Sequence, residues 1–379
     1  MTNHAESLLP PRHLSTRADL TTPALLLDLD LFEGNIAAMA AFTKSAGIDL
    51  RPHSKTHKCP EVARRQLTAG AIGISVATIR EAEAMTDAGI TGLLITSEIT
   101  SYPGIQRLLN VLKHAPQTMI VIDNALNAQD LDRAAKEAGC RMDVMLDVDP
   151  GTRRTGVARG GAAIALAEEI DRCENLRLRG IHCYSGSTAH VLGWEARREH
   201  SYSAMSAGVE TFQTLKQLGM PLEILSGGST GTYNIDSSLD AMTELQAGSY
   251  VFMDVDYHRI GGQSGPIYED FAQSLTVLST VVSRNHEDRA TIDAGIKAFA
   301  TDRTFGPKIK GVEGVTYKAV GDEHGVLLLD APSLDIRAGD RLEFYPPHCD
   351  PTVNLYDRIY CLRGDVVEEV WPVLGRYGN

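Results

Sequence analysis

Short β-rich runs alternate with amphipathic helical stretches along two thirds of this chain, and that alternation limits the folds open to it. The strand candidates are Ala24–Leu29, Ile48–His53, Ile72–Val76, Gly92–Thr96, Met119–Asp123, Asp143–Val148, Leu178–Tyr184, Leu222–Leu225 and Tyr250–Met253. Between them Phe32–Ala46, Ile79–Ala88, Ala125–Ala138 and Ala162–Cys173 carry helical periodicity. Several of these stretches stop at a glycine (Gly47, Gly89, Gly139), the residue that most readily takes the left-handed conformation ending a helix. Repeated β-then-α units imply a parallel sheet, and eight of them close a barrel. The nine candidates exceed that number by one, so one strand lies outside.

Past Gly265 the texture changes. Val277–Val282, Arg289–Asp293, Val326–Leu329, Arg341–Tyr345 and Ile359–Arg363 read as strands, with turns at Gly339-Asp340 and Gly364-Asp365 and no long helical pattern between them. A length of 379 residues accommodates one barrel of about 250 residues plus a smaller domain. The expected organisation is an N-terminal segment, residues 1–22, packed on the β domain. A (β/α)8 barrel over 23–265 and an antiparallel β domain over 266–379 follow.

Charge and cysteine usage narrow the partners. Lys+Arg less Asp+Glu is 36 − 49 = −13, a poor balance for gripping nucleic acid or an anionic membrane. No run approaches the ~18 apolar residues of a membrane span, and the first nineteen residues lack the apolar core of a secretion signal. Six cysteines, none in a C-x-x-C pair, suit reduced thiols in a cytoplasmic enzyme.

Three segments carry chemistry. Arg51-Pro-His-Ser-Lys-Thr-His-Lys58 follows the second strand candidate, and strand alternation would place Arg51, His53, Lys55 and His57 on one side. Catalytic groups of barrels stand at such C-terminal strand ends. A lysine confined among cationic groups has its ammonium disfavoured, which frees the amine to form a Schiff base with a carbonyl. The plainer alternative is a solvated basic loop. Ser226-Gly-Gly-Ser-Thr-Gly-Thr232 follows another strand, and its glycines and amide N–H groups suit a phosphate; a turn is the alternative. Gly248, Ser249 and Tyr250 lie about twenty residues later and would complete the cradle. Two such loops beside a Schiff-base lysine point to pyridoxal 5'-phosphate.

The third segment is Pro347-His-Cys-Asp-Pro-Thr352. Pro351 should hold Asp350 extended, so that His348 and Asp350 project together onto a divalent cation and Cys349 points away. An ordinary loop is the alternative, since two ligands make a weak site. Arg154 could reach a cofactor oxygen, although its neighbour Arg153 shows how easily a surface arginine is mistaken for a ligand. Tyr184 and His190 flank another strand end as pocket candidates, and Asp293-Ala-Gly-Ile-Lys297 reads as a turn.

Together these segments resemble the family of D-threonine aldolases and eukaryotic-type D-serine dehydratases. These are pyridoxal-phosphate enzymes with an alanine-racemase-like barrel and a C-terminal β domain. The resemblance runs from about Thr22 to Trp371. Its P-H-x-K-x-H-K motif falls on Pro52–Lys58, which implies the cofactor lysine is Lys55 and not Lys58. Its G-x-x-R-x-G arginine falls on Arg154, and its phosphate loops on Gly227–Gly231 (Gly228, Thr230 and Gly231 as contacts) and Gly248–Tyr250. Close relatives often carry glycine where this chain has Ser229. The run His348-Cys-Asp-Pro-Thr-Val-Asn-Leu-Tyr-Asp357 matches the aldolase branch, whereas dehydratases usually show H-x-C.

The resemblance implies retro-aldol cleavage of β-hydroxy-D-amino acids to glycine and an aldehyde. Lys55 would hold the cofactor, and Tyr184 would line it. His190 would touch substrate. His348 and Asp350 would bind Mn²⁺ in the first instance, with Mg²⁺ or Co²⁺ as alternatives. His57 or a metal-bound water is the candidate base. The rival activity is a D-serine or D-threo-3-hydroxyaspartate dehydratase, in which Lys55 takes the Cα proton. A non-catalytic pyridoxal-phosphate-binding protein is a third reading. Relatives pair head to tail, which implies a homodimer and leaves open whether the metal pair serves its own Lys55 or the partner's.

Overall fold

The computed structural model describes residues 15–377, so most of the expected N-terminal segment lies outside the described residues. Eight parallel strands form the first sheet: Asp49–Leu50, Ile74–Val76, Leu93–Ile95, Met119–Ile122, Met142–Asp147, Leu176–Cys183, Ile224–Gly227 and Glu244–Leu245. From the second onward each pairs with the next, and the last returns to the first through Asp49 opposite Glu244. A parallel bridge between His53 and Ser75 joins the first to the second. The sheet is thereby a closed barrel, with its helices outside.

Two of the nine strand candidates are corrected. Ala24–Asp28 is the strand outside the barrel; it pairs with Leu275–His286 and Arg358–Arg363 in the other sheet, so the barrel does not begin at residue 23. Tyr250–Met253 is no strand, because Ser249–Val251 is a 3-10 turn. The eighth strand, Glu244–Leu245, is only two residues long. Its buried Glu244 pairs with buried Arg51, and this charged residue breaks the apolar run that would have marked the strand.

The first helix illustrates how sequence builds the barrel wall. Asp28 ends its strand and caps Leu29–Ala46 by accepting from the Leu31 amide. Leu29, Phe32, Ile36 and Met39, three or four residues apart, are buried along one face. Gly47, at φ +66°, stops the helix where a side chain would be strained.

The second sheet is antiparallel except for Ala24–Asp28 against Arg358–Arg363. Its spine is Leu275–His286, paired with Ala24–Asp28, Arg289–Ile292 and Arg341–Tyr345. Lys308–Ile309, Val315–Ala319 and Val366–Pro372 are strands not anticipated from the sequence. Thr16 bridges Val366, and Leu20 packs with Leu26, Leu278, Leu362 and Val367. Asp293, in its turn, accepts from the Thr280 amide at 2.8 Å and from Ser279 at 2.6 Å, which ties the sheet together. A cavity of about 200 Å³ beside Asp293, Lys297 and Tyr356 belongs to this domain, and Lys55 is not among its lining residues.

Candidate active site

Lys55 stands on a 3-10 turn, Ser54–Thr56, just past the first barrel strand. His53 opens the turn: its Nδ1 accepts from the Lys55 amide at 3.2 Å, and its Nε2 meets Thr96 Oγ1 at 3.0 Å. The turn ends strand alternation, so Arg51, His53, Lys55 and His57 do not share one face. Arg51 is forked onto Glu244 at 2.9 and 3.0 Å. His57 is fully buried, and its Nδ1 accepts from the Cys59 amide at 3.1 Å. Burial drives its imidazole down to about 3, so the ring is neutral, and its Nε2 has no hydrogen-bond partner among the described residues.

Lys55 Nζ donates to Tyr184 Oη at 3.3 Å, and the Arg154 guanidinium lies 5.6 Å from the centre of the same tyrosine ring. The structure thus brings Lys55, Tyr184 and Arg154 together, as the sequence led us to expect. The expected loss of the ammonium form is overturned. The Tyr184 oxygen outweighs burial, Asp350 adds to it, and the Lys55 ammonium is held above its ordinary range. Lys58 is engaged elsewhere, its Nζ 2.5 Å from buried Glu81.

Asp350 faces the same amine. Burial opposes its charge, yet the Lys55 ammonium and then His348 bring its carboxyl down to about 2. Ser249 Oγ donates to Asp350 Oδ1 at 3.2 Å. Asp350 is not extended: Cys349–Val353 is a short helix with His348 as its N-cap. Pro351 fits there because the first helical turn leaves its amides unpaired anyway. Asp254 fastens this helix by accepting from the Cys349 amide at 2.8 Å. Cys349 Sγ lies 3.4 Å from Asp350 Oδ1, so it is not turned away from that carboxylate. His348 and Asp350 reach the Lys55 of their own chain.

Two carboxylates that sequence reasoning missed orient the histidines. His348 Nδ1 is 2.7 Å from Asp302, which leaves Nε2 free to ligate a cation. His190 Nδ1 is 2.9 Å from Asp256, within ion-pair distance but off the alignment of a hydrogen bond. The His190 and His348 rings stand 6.3 Å apart between centres. Burial would raise the Asp256 carboxyl, but His190 and Arg303 hold it at about 2. Asp256 lies in a single helical turn, Val255–His258, too short to show a period, and Asp302 is 46 residues from His348, so spacing carried no signal.

The phosphate candidates form a built cradle. Gly228 has φ +74°, and a Cβ at Gly231 or Gly248 would sit 2.3 Å from Ala189 O or 2.6 Å from His53 O. Thr230 Oγ1 accepts from the Tyr250 amide at 3.0 Å, which clamps the two loops together. Asp236 takes Thr232 at 2.5 Å, and Thr232 in turn holds the Ser229 amide at 3.1 Å. The amides of Thr230, Gly231 and Gly248 donate to no protein acceptor among the described residues. Such unpaired donors fit an anion. The Tyr250 ring instead turns into the core, where its hydroxyl meets Gln66 at 3.1 Å. No group of three or more His, Cys, Asp or Glu side chains among the described residues could hold a metal unaided. His348 and Asp350 offer two ligands, a set that suits a cation completed by water and substrate oxygens.

A closed parallel barrel with a lysine after its first strand and an anion cradle after its last two defines the alanine-racemase-like class. The alanine racemase N-terminal domain family matches residues 27–256, and the serine dehydratase domain matches residues 274–362. Within that class the chain belongs to the D-threonine aldolase family. It is 38% identical to D-threonine aldolase of Arthrobacter sp over 95% of this chain and 93% of that protein. It is 31% identical to D-threo-3-hydroxyaspartate dehydratase of Delftia sp. (strain HT23), over 95% and 98%. The crystal structure of D-threonine aldolase from Filomicrobium marinum superposes with a TM-score of 0.91 at 35% identity, covering 97% of this chain and 98% of that one.

Proposed function

We propose that this chain is a pyridoxal-phosphate- and divalent-metal-dependent D-threonine aldolase. It splits β-hydroxy-D-α-amino acids, of the D-threonine and D-phenylserine type, reversibly into glycine and an aldehyde. One observation carries the reading: the Lys55 amine and the His348–Asp350 pair meet at one barrel mouth, within one chain. A carbon–carbon lyase acting next to a hydroxyl needs both an electron sink and a grip on that hydroxyl.

Pyridoxal phosphate, when bound, supplies the sink for the electron pair released from the Cα–Cβ bond. Lys55 is the residue to hold it, with Tyr184 and Arg154 beside the ring and the amides of Thr230, Gly231 and Gly248 on the phosphate. Gly228 lets the loop turn, and the Ser249 hydroxyl serves Asp350. Tyr250 acts through its backbone. A divalent cation on His348 and Asp350, Mn²⁺ first and Mg²⁺ or Co²⁺ as alternatives, supplies Lewis acidity toward the β-hydroxyl. His190, at ion-pair distance from Asp256, is the group that takes the hydroxyl proton at Nε2, with His57 or a metal-bound water as the alternatives. Holding the hydroxyl fixes which bond at Cα lies open to cleavage.

The rival is elimination on the same scaffold, with Lys55 removing the Cα proton. Incubation with D-threonine separates them. Acetaldehyde with glycine is the expected outcome, and 2-oxobutanoate with ammonia would replace this reading by the dehydratase. The six unpaired thiols support a reducing compartment, the cytoplasm. No helix among the described residues is long and apolar enough to cross a membrane. A homodimer is what the resemblance to this family implies.

A further inference from the structure

We propose that Arg303 is a positioning residue that couples His190 to His348 through a single guanidinium. Its Nε donates to Asp256 Oδ2 at 2.6 Å, and its Nη1 donates to Asp302 Oδ2 at 2.6 Å. Those same two oxygens hold the histidines: Asp256 Oδ2 is 2.9 Å from His190 Nδ1, and Asp302 Oδ2 is 2.7 Å from His348 Nδ1. The series His190–Asp256–Arg303–Asp302–His348 therefore crosses the mouth of the barrel through three hydrogen bonds and, at its His190 end, a contact at ion-pair distance. This rests on the reading that His348 binds the cation and His190 takes the hydroxyl proton.

An isolated surface ion pair contributes little, and Asp302 alone would be one, with 40% of its side chain exposed. Arg303 is different because it is 23% exposed and serves two carboxylates at once. Asp254 and Asp350 stand in the same region, so four carboxylates crowd a site that must also admit a cation. Without a positive charge fixed between them, Asp256 and Asp302 repel each other and are free to swing toward the cation. Either movement releases a histidine from its tautomer and its orientation. A planar fork holds two carboxylates in a set relation, which the point charge of lysine cannot do. The distance between the proton-taking ring and the metal-binding ring is thereby set by one side chain from the β domain.

The test uses the pyridoxal-phosphate-loaded enzyme, with Mn²⁺ affinity read from the free-ion electron paramagnetic resonance signal beside steady-state kinetics on D-threonine. Arg303→Ala should weaken Mn²⁺ binding and lower kcat, each by about ten-fold or more, as loss of outer-shell support does elsewhere. KM should move less. Arg303→Lys should stay impaired although its charge is kept, and free guanidinium at low millimolar concentration should restore Arg303→Ala but not Arg303→Lys. Rescue of this kind separates positioning from simple loss of fold. Full activity and Mn²⁺ affinity in Arg303→Ala, or full recovery by lysine, overturns the coupling while leaving the aldolase reading intact. A wild-type enzyme that keeps full cleavage of D-threonine after chelation of all divalent cations removes the metal reading and the coupling together.

Discussion

Two lysines three residues apart have different jobs, and their surroundings say which is which. Lys55 Nζ faces Tyr184 at 3.3 Å with Arg154 and Asp350 nearby, whereas Lys58 Nζ is locked on Glu81, a carboxylate with no exposed surface. Glu81 also holds the Ala77 amide at 2.8 Å. Lys55→Ala should therefore abolish the borohydride-reducible cofactor adduct and cut turnover by about 10³-fold or more, the scale of losing a covalent group. Lys58→Ala should retain the adduct but lose about 3 kcal/mol of stability, because a buried charge is left without its partner. Peptide mapping of the reduced adduct and urea unfolding of both variants check this; an adduct on Lys58 would reverse the assignment. The sequence motif made Lys55 legible but misjudged its protonation. Counting nearby cationic residue types overlooked Asp350, which arrives from nearly three hundred residues away.

At the scale of elements, what remained hidden was short or irregular. Glu244–Leu245 is two residues long, and Cys349–Val353 is one helical turn whose proline argued for an extended chain. The long helices and the apolar strands were legible because each repeats its period over several residues. The glycine loop was legible as composition, but its support was not: Asp236 braces Thr232 and through it Ser229. Burial pushes the Asp236 carboxyl up from 3.8 to about 6. A raised carboxyl binds its proton more tightly in the folded state, so the contribution of this one group to stability is fully present below 3.8 and is lost as pH rises through about 6. Wild type should gain urea resistance on going from about pH 7.5 to about pH 5 relative to Asp236→Asn, which has no proton to gain. Parallel curves for the two proteins across that range would show that Asp236 stays ionised.

At the scale of the molecule, the two sheets are laced so that one chain finishes its own site. The chain enters the β sheet at Ala24–Asp28 before building the barrel, and it returns there at Leu275. The His348–Asp350 segment follows Arg341–Tyr345, and the Val255 and Asp256 amides donate to the carbonyls of Pro346 and Pro347 at 3.0 and 3.2 Å. Ser249, on the turn after the last barrel strand, donates to Asp350, so barrel and β domain meet at the reacting groups. Sequence could not decide whether that meeting occurs within one chain or between two. The geometry places His348 and Asp350 against the Lys55 of the same chain, and this has a consequence for mixed assemblies. If Lys55→Ala and His348→Ala chains are co-expressed and purified through two different tags, every site lacks one essential group, and activity should stay at the level of the single variants. Sites shared between subunits would instead give one intact site in each mixed dimer. The two tags leave only mixed dimers, and each then has one working site of two, which restores about half of wild-type activity. Recovery near that fraction would show that the metal pair crosses to the partner, and the lacing described here would then serve stability instead of catalysis.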